Sequence, residues 1–151
     1  MSTRSAPDSA AAAAAIINKH GVRSTPARVA VLAALLAAHE ALTHHDVEER
    51  LKRGHDIDRV TLYRVLEWLV EQGFAHKLAG EDRVRRFSAS GRVARGGAQG
   101  SGHAHAHFEC VECGRVVCLD EARMPTIPVP HGFRRREVEV TVKGCCDRCS
   151  R

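Results

Sequence analysis

Four cysteines stand in two pairs, Cys110-x-x-Cys113 and Cys146-x-x-Cys149. The short spacing within a pair lets both sulfurs address one ion, and two such pairs compose a tetrahedral four-thiolate zinc site. Four thiolates need no water and leave no open coordination position, so this zinc would be structural rather than catalytic. Gly114, directly after the first pair, supplies the tight turn of a zinc knuckle. The competing reading is a pair of disulfides. No signal peptide points to an oxidising compartment, which favours metal. The ion would clip together the two ends of a C-terminal domain. Two further cysteines, Cys118 and Cys145, fall outside the pattern. A single cysteine on a strand is most often a buried packing residue. Cys145 reads as a bystander beside a ligand.

The composition bounds what this chemistry can serve. A chain of 151 residues makes one large domain or two small ones. Hydrophobic content of 44% supports a core, and aromatic content of 4% makes that core aliphatic. No apolar run approaches the ~20 residues of a membrane span, so a cytoplasmic protein with no membrane partner is expected. The net charge of +5 and pI of about 9.1 permit a polyanionic partner. The excess is mild and spread along the chain, and a solvated surface would look similar.

The elements that must position these residues fall into two sections. From Ser9 to Phe87 the pattern is mostly helical, and from Phe108 onward mostly strand. The stretch from Gly91 to Gly102 is rich in Gly and Arg and reads as a connector. An Ala-rich helix runs from Ser9 to His20 and ends at Gly21. Thr25-Pro26 opens a second, with Thr25 as N-cap and Pro26 at the first helical position. Thr43 with Asp46 resembles a capping box and opens a third, to about Lys52. Asp58 caps a fourth, whose buried face is Leu62, Val65, Leu66 and Leu69 and which ends at Gly73. Phe74–Leu78 and Arg83–Phe87 read as two strands joined by a polar turn. Helices in series followed by a hairpin are the order of a winged helix-turn-helix. The outward face of the fourth helix offers Arg59, Thr61, Tyr63 and Arg64, side chains that can meet base edges and phosphates. The same face would serve a small helical protein as solvated surface, and pattern alone does not choose between the two. Further on, Pro125, Pro128 and Pro130 exclude a helix over that segment. Val138, Val140 and Val142 then alternate with polar residues as one strand.

Taken in order, Gly21-Val22-Arg23-Ser24-Thr25-Pro26-Ala27-Arg28, Thr61-Leu62-Tyr63-Arg64-Val65-Leu66, Glu71-Gln72-Gly73-Phe74-Ala75-His76-Lys77, the run from His105 to Gly114 and the terminal Cys-x-x-Cys resemble the ferric uptake regulator family. These are metal-responsive bacterial transcription factors, and the likeness is greatest to the zinc uptake regulator branch. The resemblance implies an α+β chain: an N-terminal winged-helix DNA-binding domain over 1–88, a hinge over 89–102, and a small α/β dimerisation domain over 103–151. It implies a homodimer on double-stranded operator DNA, with Arg23, Arg28, Arg59, Thr61, Tyr63 and Arg64 toward the duplex. Cys110, Cys113, Cys146 and Cys149 match the structural zinc ligands, one zinc per chain. A second, regulatory ion is implied at the hinge. His76 falls at the wing position of zinc regulators, and His103, His105 and His107 fill the hinge. Alternating residues of a strand share one face, so these imidazoles can converge. Cys118 falls where such regulators place an acidic ligand. A donor set of His and Cys favours zinc over iron or manganese. Ser88 departs from the pattern, since that position often carries a Glu, Asp or Cys ligand. Ala104 and Ala106 stand where many members hold ligands of a further site.

The expected function is zinc-responsive repression of zinc uptake genes, with an iron- or peroxide-responsive regulator as the alternative. A zinc hydrolase built on the histidines lacks a general base at useful spacing. A zinc-ribbon adaptor that binds only protein would leave the stretch from Thr61 to Leu66 and the wing unexplained. No enzyme is expected.

Overall fold

A computed structural model of the chain describes residues 6–90, 104–119, 122–123, 125–136 and 138–151. His103 and residues 91–102 of the expected hinge lie outside the described residues. The chain divides into two compact units, Met1–Gln99 and Gly100–Arg151. Among the described residues no helix is long and apolar enough to cross a membrane.

The first unit begins with helices α1 (Ala6–Lys19) and α2 (Pro26–Ala37). Between them, Gly21 takes a positive φ of 69°, a backbone conformation that L side chains rarely adopt. Thr25 caps α2 by accepting a hydrogen bond from the Arg28 N–H, with Pro26 in the first turn. The two-residue strand β1 (Leu42–Thr43) leads into α3 (His44–Leu51). Thr43 and Asp46 form the full capping box, each side chain accepting the other's backbone N–H. Helix α4 (Arg59–Glu71) is capped by Asp58, which accepts from the Thr61 N–H. Its apolar stripe of Leu62, Val65, Leu66 and Leu69 is buried as expected. That stripe meets Val31, Leu32 and Leu35 of α2, Val47 and Leu51 of α3, and Phe74 and Phe87 in one core.

Helix α4 ends in a Schellman motif: the Phe74 N–H donates to the Leu69 carbonyl and the Gly73 N–H to the Val70 carbonyl, with Gly73 at φ 72°. This shifts the hairpin from its expected place. Phe74 is committed to closing the helix, so β2 spans Ala75–Ala79 rather than Phe74–Leu78. At the turn, Arg83 takes φ 57° and the Val84 N–H donates to the Asp82 carboxylate, so β3 spans Arg85–Ala89 rather than Arg83–Phe87. Strand β1, which no sequence pattern marked, pairs antiparallel with β3 and completes a sheet of order β1-β3-β2. The unit is a winged helix-turn-helix, with β2 and β3 as the wing.

The second unit is built on β4 (Ala104–Cys110), β5 (Val116–Cys118) and β6 (Val138–Gly144) in the order β5-β4-β6. Strand β5 pairs antiparallel with β4 through a tight turn, and β6 pairs parallel with it on the other side. The proline segment 125–130 is irregular, as the missing N–H groups and fixed φ angles require. Strand β6 alternates as read, but Val142 remains 44% exposed.

Candidate metal centre and nucleic-acid face

Two knuckles bring the cysteine pairs together within the second unit. In the first, the Gly114 N–H donates to the Cys110 carbonyl at 2.9 Å, and Gly114 takes φ 71°, the tight turn that position requires. In the second, the Cys149 and Ser150 N–H groups both donate to the Cys146 carbonyl. The parallel pairing of β4 with β6 ends at Cys110 opposite Gly144, which delivers the second pair beside the first. A Cβ at position 144 would stand 3.1 Å from the Phe108 ring, so glycine permits this close approach. The ligand sulfurs of Cys110, Cys113, Cys146 and Cys149 all lie within 4.8 Å of one another. Arg115, two residues after the first pair, and Asp147, inside the second, form an ion pair at 2.8 Å that ties the knuckles. The opposite charges of Arg115 and Asp147, one after the first motif and one within the second, were the visible sign of this pair in the sequence.

The electrostatics of the cluster suit a cation. Backbone N–H groups of Cys113 and Cys146 aimed at the Cys110 sulfur lower its thiol to about 6. The Cys149 thiol is pushed up to about 12, first by its hydrogen bond with Cys146 and then by that with Cys113. Without metal the cluster therefore holds protons that a divalent ion would displace, since only thiolates ligate. Four convergent sulfurs with no oxygen donor fit a closed structural zinc site.

The remaining metal candidates fall on separate elements. His107 on β4 stands opposite Cys118 on β5, and their ligand atoms lie within 4.8 Å of each other. His107 is buried, at 4% exposure. His105 lies two residues earlier on β4, opposite Glu139 of β6. His76 lies on β2 of the first unit, half-buried and directly opposite Ser88 of β3.

On the first unit, Tyr63 and Arg64 project from α4 into solvent. Arg23 is also exposed. The other three candidates for DNA contact have partners of their own. Arg59 pairs with Glu48 of α3 at 3.3 Å. The Thr61 hydroxyl donates to the Asp58 carboxylate. The Arg28 guanidinium lies 3.7 Å from the Trp68 ring centroid and donates to the Arg23 carbonyl at 2.7 Å. That stack leaves no mark in the sequence, because α2 and α4 meet only in the folded unit.

Comparison with known proteins gives a consistent result. Residues 19–142 match the profile of the Ferric uptake regulator family. The chain is 28% identical over 140 residues to the ferric uptake regulation protein of Bacillus subtilis (strain 168), with 89% of each covered. It is 29% identical over 139 residues to the zinc uptake regulation protein of Escherichia coli (strain K12), covering 89% of this chain and 77% of that protein. A solved zinc uptake regulator complexed with zinc and DNA superposes with a TM-score of 0.67 at 24% identity, covering 97% of this chain and 96% of the other. At that identity the likeness speaks for the fold.

Proposed function

The chain belongs to the ferric uptake regulator family, and from that premise we propose that it is a zinc-responsive repressor controlling zinc uptake genes. Within the family it is a metal-responsive transcription regulator that binds DNA and works as a homodimer. Its winged helix occupies residues 1–88, its hinge 89–102 and its dimerisation domain 103–151. Zinc on Cys110, Cys113, Cys146 and Cys149 holds the last of these together. A second ion is the signal, held by His107 and Cys118 with His76, His103 and His105.

One observation carries the zinc reading. Strand pairing sets His107 against Cys118, outside the four-cysteine cluster. A nitrogen and sulfur donor set suits zinc, a borderline-soft ion, better than it suits iron or manganese. The likeness to a zinc uptake regulation protein points the same way. The similar likeness to a ferric uptake regulation protein supports the iron reading as the alternative.

Metal acts here by population shift. An ion changes the DNA affinity only if it binds the DNA-competent arrangement of the dimer more tightly than the others. Ligands drawn from the wing and the dimerisation domain would supply that difference, because one ion shared between them would favour one arrangement of the two over the others. Arg23, Arg28, Arg59, Thr61, Tyr63 and Arg64 form the proposed duplex-facing set, with Tyr63 and Arg64 as its centre, and the work is done on cytoplasmic DNA. The test is a titration of the purified protein on candidate promoters across buffered series of free zinc and of ferrous iron. A response to zinc at lower free concentration than to iron is expected, and the reverse order assigns the site to iron.

A further inference from the structure

His44 is the first residue of α3, directly after the N-cap Thr43. Its imidazole stacks on the Tyr63 ring of α4, with centroids 3.9 Å apart and planes 24° from parallel. Tyr63 is otherwise open to solvent, at 49% exposure. An exposed tyrosine on a helix samples several rotamers, and ordering it on binding costs free energy. A flat ring lying parallel to it removes that freedom before the duplex arrives.

We propose that His44 is a positioning residue for operator recognition, holding the Tyr63 phenol in the orientation in which α4 presents it to duplex DNA. The proposal rests on the reading of α4 as the recognition helix. Three observations bear on it. The stack joins α3 to α4, so it fixes Tyr63 relative to the body of the winged helix rather than to its own helix alone. The His44 Nε2 atom is buried and makes no hydrogen bond among the described residues, so the ring is held by its stacked face together with a hydrogen bond with the Arg59 backbone. Desolvation by burial lowers the affinity of His44 for a proton, opposed by a hydrogen bond with the Arg59 backbone and by the Glu48 charge, with Arg59 and His45 adding to the lowering. A neutral imidazole packs on a phenol without carrying a charge of its own into the interface.

The experiment uses the full-length, zinc-loaded protein. The probes are a duplex that the wild type selects from a random-sequence pool and a scrambled duplex of equal length. His44→Ala is expected to bind the selected duplex about threefold to tenfold more weakly, the range for freeing one side chain, with scrambled binding and zinc content unchanged. His44→Phe, which restores a flat ring, is expected to recover most of the loss. His44→Gln, which keeps a polar first helical residue without a ring, should behave as the Ala variant and covers the case of poor folding. In a Tyr63→Ala background, His44→Ala should cost nothing further. A full additional loss in that background, an equal loss on scrambled DNA, or no loss in the single variant overturns the proposal. If Tyr63→Ala and Arg64→Ala leave selective binding intact, α4 is not the recognition helix and the underlying reading fails with it. If those two lose selectivity and His44→Ala does not, only the present inference falls.

Discussion

The sulfurs of Cys113 and Cys146, 33 residues apart in the chain, lie 3.7 Å from each other. A tetrahedral zinc with Zn–S bonds of about 2.3 Å requires its ligand sulfurs to stand roughly 3.8 Å apart. A disulfide would bring them to about 2.05 Å. The separation therefore matches an edge of a zinc tetrahedron. Cys113→Ser should remove one zinc per chain and unfold or monomerise the C-terminal unit, since structural zinc supplies folding free energy on the order of 10 kcal/mol in small domains. Zinc content and solution molar mass check this. A zinc-free variant that stays folded and dimeric would refute the structural role.

Arg64→Ala should weaken binding to the operator by roughly 1–3 kcal/mol and relax discrimination at one base position. Arg64 is exposed and lies off the buried stripe of Leu62, Val65, Leu66 and Leu69, so the unfolding midpoint should hardly change. Titrations on operator and scrambled duplex at fixed salt decide it: an equal loss on both makes Arg64 a phosphate contact.

Arg28→Ala should act chiefly on stability. The guanidinium sits over Trp68 and holds the Arg23 carbonyl, and a cation–π contact of this kind contributes about 0.5–2 kcal/mol. Denaturant unfolding should show a loss of that size. Operator and scrambled binding should fall together if at all. An unchanged unfolding curve with a selective loss on operator would place Arg28 at the bases instead.

The wing carries a pH dependence of known sign. Two hydrogen bonds from Arg86, with the Val84 N–H, hold the Asp82 carboxyl at about 2 against its ordinary 3.8. A folded-state value below the unfolded one means the carboxylate stabilises the wing turn fully above about pH 4, and that the contribution is lost as pH falls toward 2. Amide protection in β2 and β3, relative to the intrinsic exchange rate at each pH, should therefore fall over that window, and Asp82→Asn should abolish the dependence. The Asp82 carboxylate is exposed, so global stability should move little.

His107→Ala should leave the dimer and its structural zinc intact while abolishing zinc-dependent DNA binding, and His105→Ala should do the same. A closed four-cysteine site would saturate at free zinc levels that leave the proposed regulatory ligands empty. Comparing DNA affinity as free zinc rises gives the answer, and a wild-type midpoint in either variant removes that histidine from the sensor.

Local chemistry made much of this protein legible in its sequence. Thr25, Thr43 and Asp58 cap their helices because capping hydrogen bonds span only three residues. Gly21, Gly73 and Gly114 mark turns because few other residues tolerate a positive φ there. The two Cys-x-x-Cys pairs announce their metal because ligand spacing is a local property. What lay beyond reach depends on contacts between distant segments. The two-residue β1 has no pattern long enough to read, and it exists because β3 offers it an edge. The parallel partner of β4 is β6, some thirty residues on, and nothing in either strand specifies direction. Helix packing put Arg28 over Trp68 and His44 against Tyr63, giving internal partners to side chains that composition alone would leave in water. The residue types, their spacing and the helix ends were set by the sequence. Which of those residues face solvent and which face each other was decided by the tertiary structure, because burial and register are properties of the assembled core.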